Sequence, residues 1–89
     1  MLGEITHVML VENNQLLLLL VSNLIKTYPF NLVNSSENFD QAIKAFKKHS
    51  PDAVVLDLDL GDGPNGYELA IVMRQINPNL GIVLYSSFN

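Results

Sequence analysis

Eighty-nine residues make one small domain at most, and a 48% apolar composition with only 16% charged residues excludes a disordered chain. Nine acidic residues against five basic ones leave a net charge of -4, which argues against direct nucleic-acid binding; the absence of cysteine excludes disulfides, thiolate zinc sites and cysteine nucleophiles. The longest apolar stretch, residues 16–21, is far short of the roughly 18 residues a membrane span needs, and it follows polar Asn13-Asn14-Gln15 inside the chain, unlike a secretory signal, so a single soluble, cytoplasmic domain over residues 1–89 with no membrane partner is expected.

Residues 5–11 (ITHVMLV) are short, apolar and β-branched, which predicts a buried strand. Residues 15–27 then read as a helix, with Asn13 or Asn14 as N-cap and Tyr28-Pro29 as the stop. A weaker second strand covers residues 30–33. Phe39, Ala42, Ile43 and Phe46 fall at i, i+3, i+4 and i+7, placing them on one face of a second helix. Lys44, Lys47 and Lys48 take the other side, the last two where a helix dipole favours cations, and Pro51-Asp52 ends the unit.

Residues 53–58 (AVVLDL) form the clearest strand, a nearly continuous apolar run suited to a central position with helices on both sheet faces. Residues 61–66 (GDGPNG) are a loop, because three glycines permit unusual backbone angles and Pro64 fixes one. Leu69, Val72, Met73 and Ile76 repeat the helical spacing up to Asn77-Pro78, and residues 82–85 close the pattern as a fourth strand. This alternation predicts an α/β fold with a parallel sheet and right-handed crossovers.

Ligand sites of open parallel sheets lie beyond the carboxyl ends of the strands. Glu12 and Asn13 follow the first strand, Asp57 and Asp59 the third, and Ser86-Ser87 the fourth. Taken singly, each has a plain reading as a loop-former: Asp59 as a solvated turn residue, Ser87 as a local hydrogen-bonding group. His7, alternating within a strand, and His49, at a helix end, are poor metal ligands. Convergence is what distinguishes the others. Two carboxylates and a hydroxyl meeting at one rim outline a hard-cation and phosphate site, with magnesium the natural ion, Asp57 facing outward as a nucleophile towards phosphorus, and Ser86 placed to bond a phosphoryl oxygen.

The segments VMLVENNQLL and PDAVVLDLDLGDGPNGYEL resemble the first acidic loop and the phosphorylation-site strand of response-regulator receiver domains, the phosphorelay modules of two-component signalling. The resemblance covers the whole chain in order and implies a flavodoxin-like parallel sheet of β-α repeats. It implies Asp57 as phosphoryl acceptor, Glu12 and Asn13 as the acidic pair at a Mg2+ site, Asp59 as the residue whose backbone carbonyl reaches the metal, and Ser86 as the switch hydroxyl. The expected partner is a sensor histidine kinase or phosphotransfer protein, and the expected chemistry is autophosphorylation only, not turnover.

Three departures accompany it. Asn13 replaces a metal-binding aspartate, which should weaken magnesium binding. Gly61 stands where the family has a proline, with one residue more before Gly66. The chain stops at Asn89, so the resemblance implies a receiver truncated after the fourth strand, without the last strand and last two helices and with no counterpart of the family's catalytic lysine. Residues 16–25 are apolar on more than one side, so a homo-oligomer built through the first helix or the edge of the fourth strand is expected, to cover what a missing helix and strand would leave bare. Two alternatives stay open. One is a pseudo-receiver serving only as an interaction or dimerisation module, which Asn13 favours. The other is a haloacid-dehalogenase-type phosphatase, suggested by Asp57-Leu58-Asp59, although that motif normally follows the first strand.

Overall fold

Period-two alternation in the strands sorts apolar side chains onto two faces of one sheet. In a computed structural model that describes residues 5–86, the elements are β1 (Thr6–Val11), α1 (Gln15–Lys26), β2 (Phe30–Ser36), α2 (Phe39–His49), β3 (Ala53–Asp57), α3 (Gly66–Ile76) and β4 (Gly81–Tyr85). All strand pairs are parallel, in the order β2-β1-β3-β4. The chain order reverses direction between β1 and β3, and that makes the gap beyond their carboxyl ends the crevice of the fold.

Met9 and Val11 of β1, with Val54 and Leu56 of β3, pack against Ala42, Ala45 and Phe46 of α2 and Leu69, Ala70 and Met73 of α3. Val8 and Leu10 point to the opposite face, where they meet Ile25 of α1, with Leu18, Val21, Ala53 and Val55 around them. Continued past the strand ends, the same alternation carries Glu12 and Asp57 onto the α1 side.

Each helix begins on an asparagine: Asn14, Asn38 and Asn65 accept the backbone N–H three residues on, and Asn65 forms a reciprocal capping box with Glu68. Asn14, not Asn13, therefore caps α1, which leaves Asn13 available to the rim. Helix α2 ends at Ser50 in the left-handed region, φ 45°, just before Pro51.

Strand β2 runs three residues beyond its expected end. Asn34, Ser35 and Ser36 pair with Met9, Leu10 and Val11 after a register shift between Val8 and Met9. Turn-forming side chains hid this extension, but a strand beside β1 is dictated by the ladder: the Ser36 carbonyl accepts the Glu12 N–H at 2.9 Å. On the outer side of α1, Leu16, Leu19, Leu20 and Leu24 are all more than half exposed, whereas Ser22 of the same helix is buried. No helix among the described residues is long and apolar enough to cross a membrane.

Candidate functional site

The two carboxylates singled out at the strand ends are buried: Glu12 is 0% exposed and Asp57 2%. An outward-facing Asp57 was the expectation, and the structure corrects it. The loop after β3 folds back over the acceptor, with the Asp59 N–H donating to Asp57 Oδ1 at 3.1 Å and the Gly61 N–H to Asp59 Oδ1 at 3.0 Å. Helix α3 then starts hard against it: the Gly66 N–H donates to the Leu58 carbonyl at 2.8 Å, and a Cβ on Gly66 would lie 2.0 Å from the Asp57 carbonyl oxygen. Only glycine fits there, for reasons of space and not of backbone angle.

Glu12 has a partner at each oxygen. Oε2 accepts the Asn14 N–H at 3.0 Å, and Oε1 accepts the hydroxyl of Tyr85. Tyr85 is the register partner of Asp57 across the β3–β4 ladder, so its ring starts on the same side of the sheet as the acceptor carboxylate. Burial first, then the bond to Glu12 and the negative charges of Glu12 and Asp57, push the Tyr85 phenol far above the usual tyrosine range. It is a neutral donor at any ordinary pH.

Sequence reasoning did not place Tyr85 here. As the last residue of an apolar run it reads as a strand residue, and the available signal was its phase: in a parallel ladder, the residue level with Asp57 shares its face, and a tyrosine there carries a polar tip into the site. Asn13 is exposed at the mouth, its amide donating to the Glu37 carbonyl at 3.4 Å and lying beside Gly61, whose φ of +83° disfavours any side chain. Asp59 is exposed. Ser86, also exposed, immediately follows Tyr85, and Ser87 lies outside the described residues. Glu12 and Asp57 thus form the buried floor, the partly exposed Tyr85 bonds to Glu12 from β4, and Asn13, Asp59 and Ser86 are exposed.

The side chains here offer oxygen donors: two buried carboxylates and the Asn13 amide. They suit magnesium in kind, since this ion binds through one or two carboxylates and keeps several waters. With asparagine at position 13, no three His, Cys, Asp or Glu side chains cluster as a metal set among the described residues.

The response regulator receiver domain family matches residues 8–89. The chain belongs to that family. Chemotaxis protein CheY of Bacillus subtilis (strain 168) is 24% identical to this receiver over 81 residues, covering 91% of the chain and 67% of the relative. Among solved structures, the response regulator PhyR from Brucella abortus superposes with a TM-score of 0.87 at 20% identity, over 96% of this receiver but only 35% of that chain. A LuxR-family two-component response regulator from Aurantimonas sp. SI85-9A1 gives 0.85 at 24% identity, over 97% and 61% of the two chains. The receiver therefore spans about two thirds of its curated relative and about a third of the PhyR chain. The fold expected from the sequence is the fold found, and the strand order matches the flavodoxin-like arrangement.

Proposed function

We propose that this receiver accepts a phosphoryl group on Asp57 from a phosphohistidine of a sensor kinase or phosphotransfer protein in the cytoplasm. The observation that carries the reading is the position of Asp57, a carboxylate at the last residue of an internal parallel strand, level with Tyr85 and on the same face as buried Glu12. In the transfer an Asp57 carboxylate oxygen attacks phosphorus, the O–P bond forms as the N–P bond of the donor breaks, and the electron pair returns to the imidazole nitrogen, which takes up a proton.

Mg2+, when bound, would neutralise charge between Asp57 and the incoming phosphoryl oxygens. Glu12, the Asn13 amide, Asp57 and the Asp59 backbone carbonyl are the groups to hold it, and the neutral Asn13 weakens that hold. Ser86 donates its hydroxyl to a phosphoryl oxygen and so carries the switch.

Incubation with Mg2+ and acetyl phosphate tests the reading. A hydroxylamine-labile phosphoryl group should form and be missing in Asp57→Asn; equal labelling of that variant would overturn the assignment. Receivers are signalling modules, and steady phosphate release far above the rate of adduct decay would speak for a phosphatase instead.

A second reading, a receiver used only for docking, draws support from the two occupied oxygens of Glu12 and the missing charge at position 13. The surfaces favoured for association are the leucine face of α1 and the apolar edge of β4, where Val83 and Leu84 are exposed. Sedimentation equilibrium should then show a concentration-dependent dimer.

A further inference from the structure

We infer that the Tyr85 hydroxyl plugs the cation site of this receiver, occupying the Glu12 oxygen that a divalent ion would otherwise take, so that metal binding requires Tyr85 to swing away. The inference rests on the reading of Glu12 and Asp57 as the metal's carboxylates. It adds a residue from β4 that controls when they are available.

Glu12 is the starting point. It is 0% exposed, and its two oxygens accept the Asn14 N–H and the Tyr85 hydroxyl, one donor at each. A cation and a phenol proton seek the same lone pairs on a carboxylate oxygen, and in this packing they compete. Of the two donors only one is free to yield. The Asn14 N–H belongs to the backbone that caps α1, whose side chain also accepts the Leu17 N–H at 3.0 Å, so moving it would undo the helix start. Tyr85 is a side chain at the last residue of β4, which has only β3 beside it among the described strands, and it is partly exposed. Rotation about its side-chain bonds can withdraw the hydroxyl without disturbing the Asp57–Tyr85 ladder.

The plug also has a reason to exist. A fully buried carboxylate beside a second one needs a donor or a cation, and the phenol supplies a neutral donor when no cation is there. Two occupants that exclude each other at one atom are linked reciprocally: whatever holds Tyr85 in place weakens metal binding, and metal drives Tyr85 out by the same factor.

Isothermal titration with MgCl2, without phosphodonor, separates the possibilities. Tyr85→Phe keeps the ring and removes the hydroxyl, and it should bind Mg2+ about tenfold more tightly than wild type, the order expected for loss of a competing charge-assisted hydrogen bond. Equal or weaker affinity, or no binding in either protein, overturns the plug. Asp57→Asn and Glu12→Gln distinguish this failure from failure of the underlying site: if both still bind Mg2+ as wild type does, the metal lies elsewhere, whereas if both lose it while Tyr85→Phe is unchanged, the site stands and the plug falls. Should Tyr85→Phe not fold, wild-type protein labelled with 3-fluorotyrosine decides the same question. Its Tyr85 fluorine resonance should move with the Mg2+ binding midpoint, and a resonance unmoved at saturation contradicts the proposal.

Discussion

The rim beyond β1 and β3 and the outer face of α1 reverse the usual rule of what is buried. At the rim two carboxylates are enclosed, each with partners: Glu12 holds the Asn14 N–H and the Tyr85 hydroxyl, and Asp57 the Asp59 N–H. On α1 four leucines stand in the open, while Ser22 is buried with the Ser35 hydroxyl, at 3.4 Å, beside it. Burying a charge is costly unless hydrogen bonds satisfy it, so the rim holds together only through specific geometry. Exposing a leucine forgoes burial but violates no pairing, so the α1 face tolerates change and is open to contact. The two regions should therefore respond to substitution in opposite ways.

The largest effect is expected at Gly66. An added methyl would meet the Asp57 carbonyl oxygen at 2.0 Å and Leu56 at 2.9 Å, so Gly66→Ala should cost about 3 kcal/mol or more in urea unfolding. A cost below about 1 kcal/mol would mean that the start of α3 is not held against the acceptor as described.

Next comes Tyr85→Phe, which strips a donor from buried Glu12 and should destabilise by about 2 kcal/mol in the absence of metal. A pH dependence accompanies it. The Tyr85 phenol is raised well above its ordinary 10.0, so above that pH the unfolded chain loses a proton that the folded chain keeps. The stabilisation is complete below about pH 10 and declines as the solution becomes more alkaline. Urea midpoints of wild type should fall more steeply than those of Tyr85→Phe across that range. Parallel curves would remove Tyr85 from the site.

A smaller effect is expected at Asn65, which accepts the Glu68 N–H at 2.9 Å; replacing it with alanine should cost about 1 kcal/mol and loosen the loop over Asp57. The smallest belongs to α1. Leu20→Glu should change monomer stability by no more than about 0.5 kcal/mol, whereas it should abolish any concentration-dependent association through this face. A strongly destabilised Leu20→Glu would show that the leucine face is already engaged within the fold.

Much of this could be read from the sequence, and the boundary has physical causes. Helical spacing at Phe39, Ala42, Ile43 and Phe46 and the apolar run through Asp57 report burial directly, so the elements and the internal place of β3 were accessible. The extension of β2 was not, since Asn34-Ser35-Ser36 carry turn chemistry and become a strand only because β1 offers them a ladder. Glu12 and Asp57 were legible as strand-end carboxylates, but their burial was not, because it depends on how the 59–66 loop and Tyr85 close over them. A tyrosine at the end of an apolar strand carries no local mark of its partner 73 residues away.

The central claim is that phosphorus is received by the carboxylate of residue 57 and by no other group. Treating the phosphodonor-loaded protein with borohydride and mapping its peptides by mass spectrometry tests this directly, since an acyl phosphate is reduced to the alcohol while free carboxylates are untouched. The account predicts conversion of Asp57 to homoserine with Glu12 and Asp59 intact; reduction at either of those residues, or a modified hydroxyl at Ser86 or Tyr85, would contradict it.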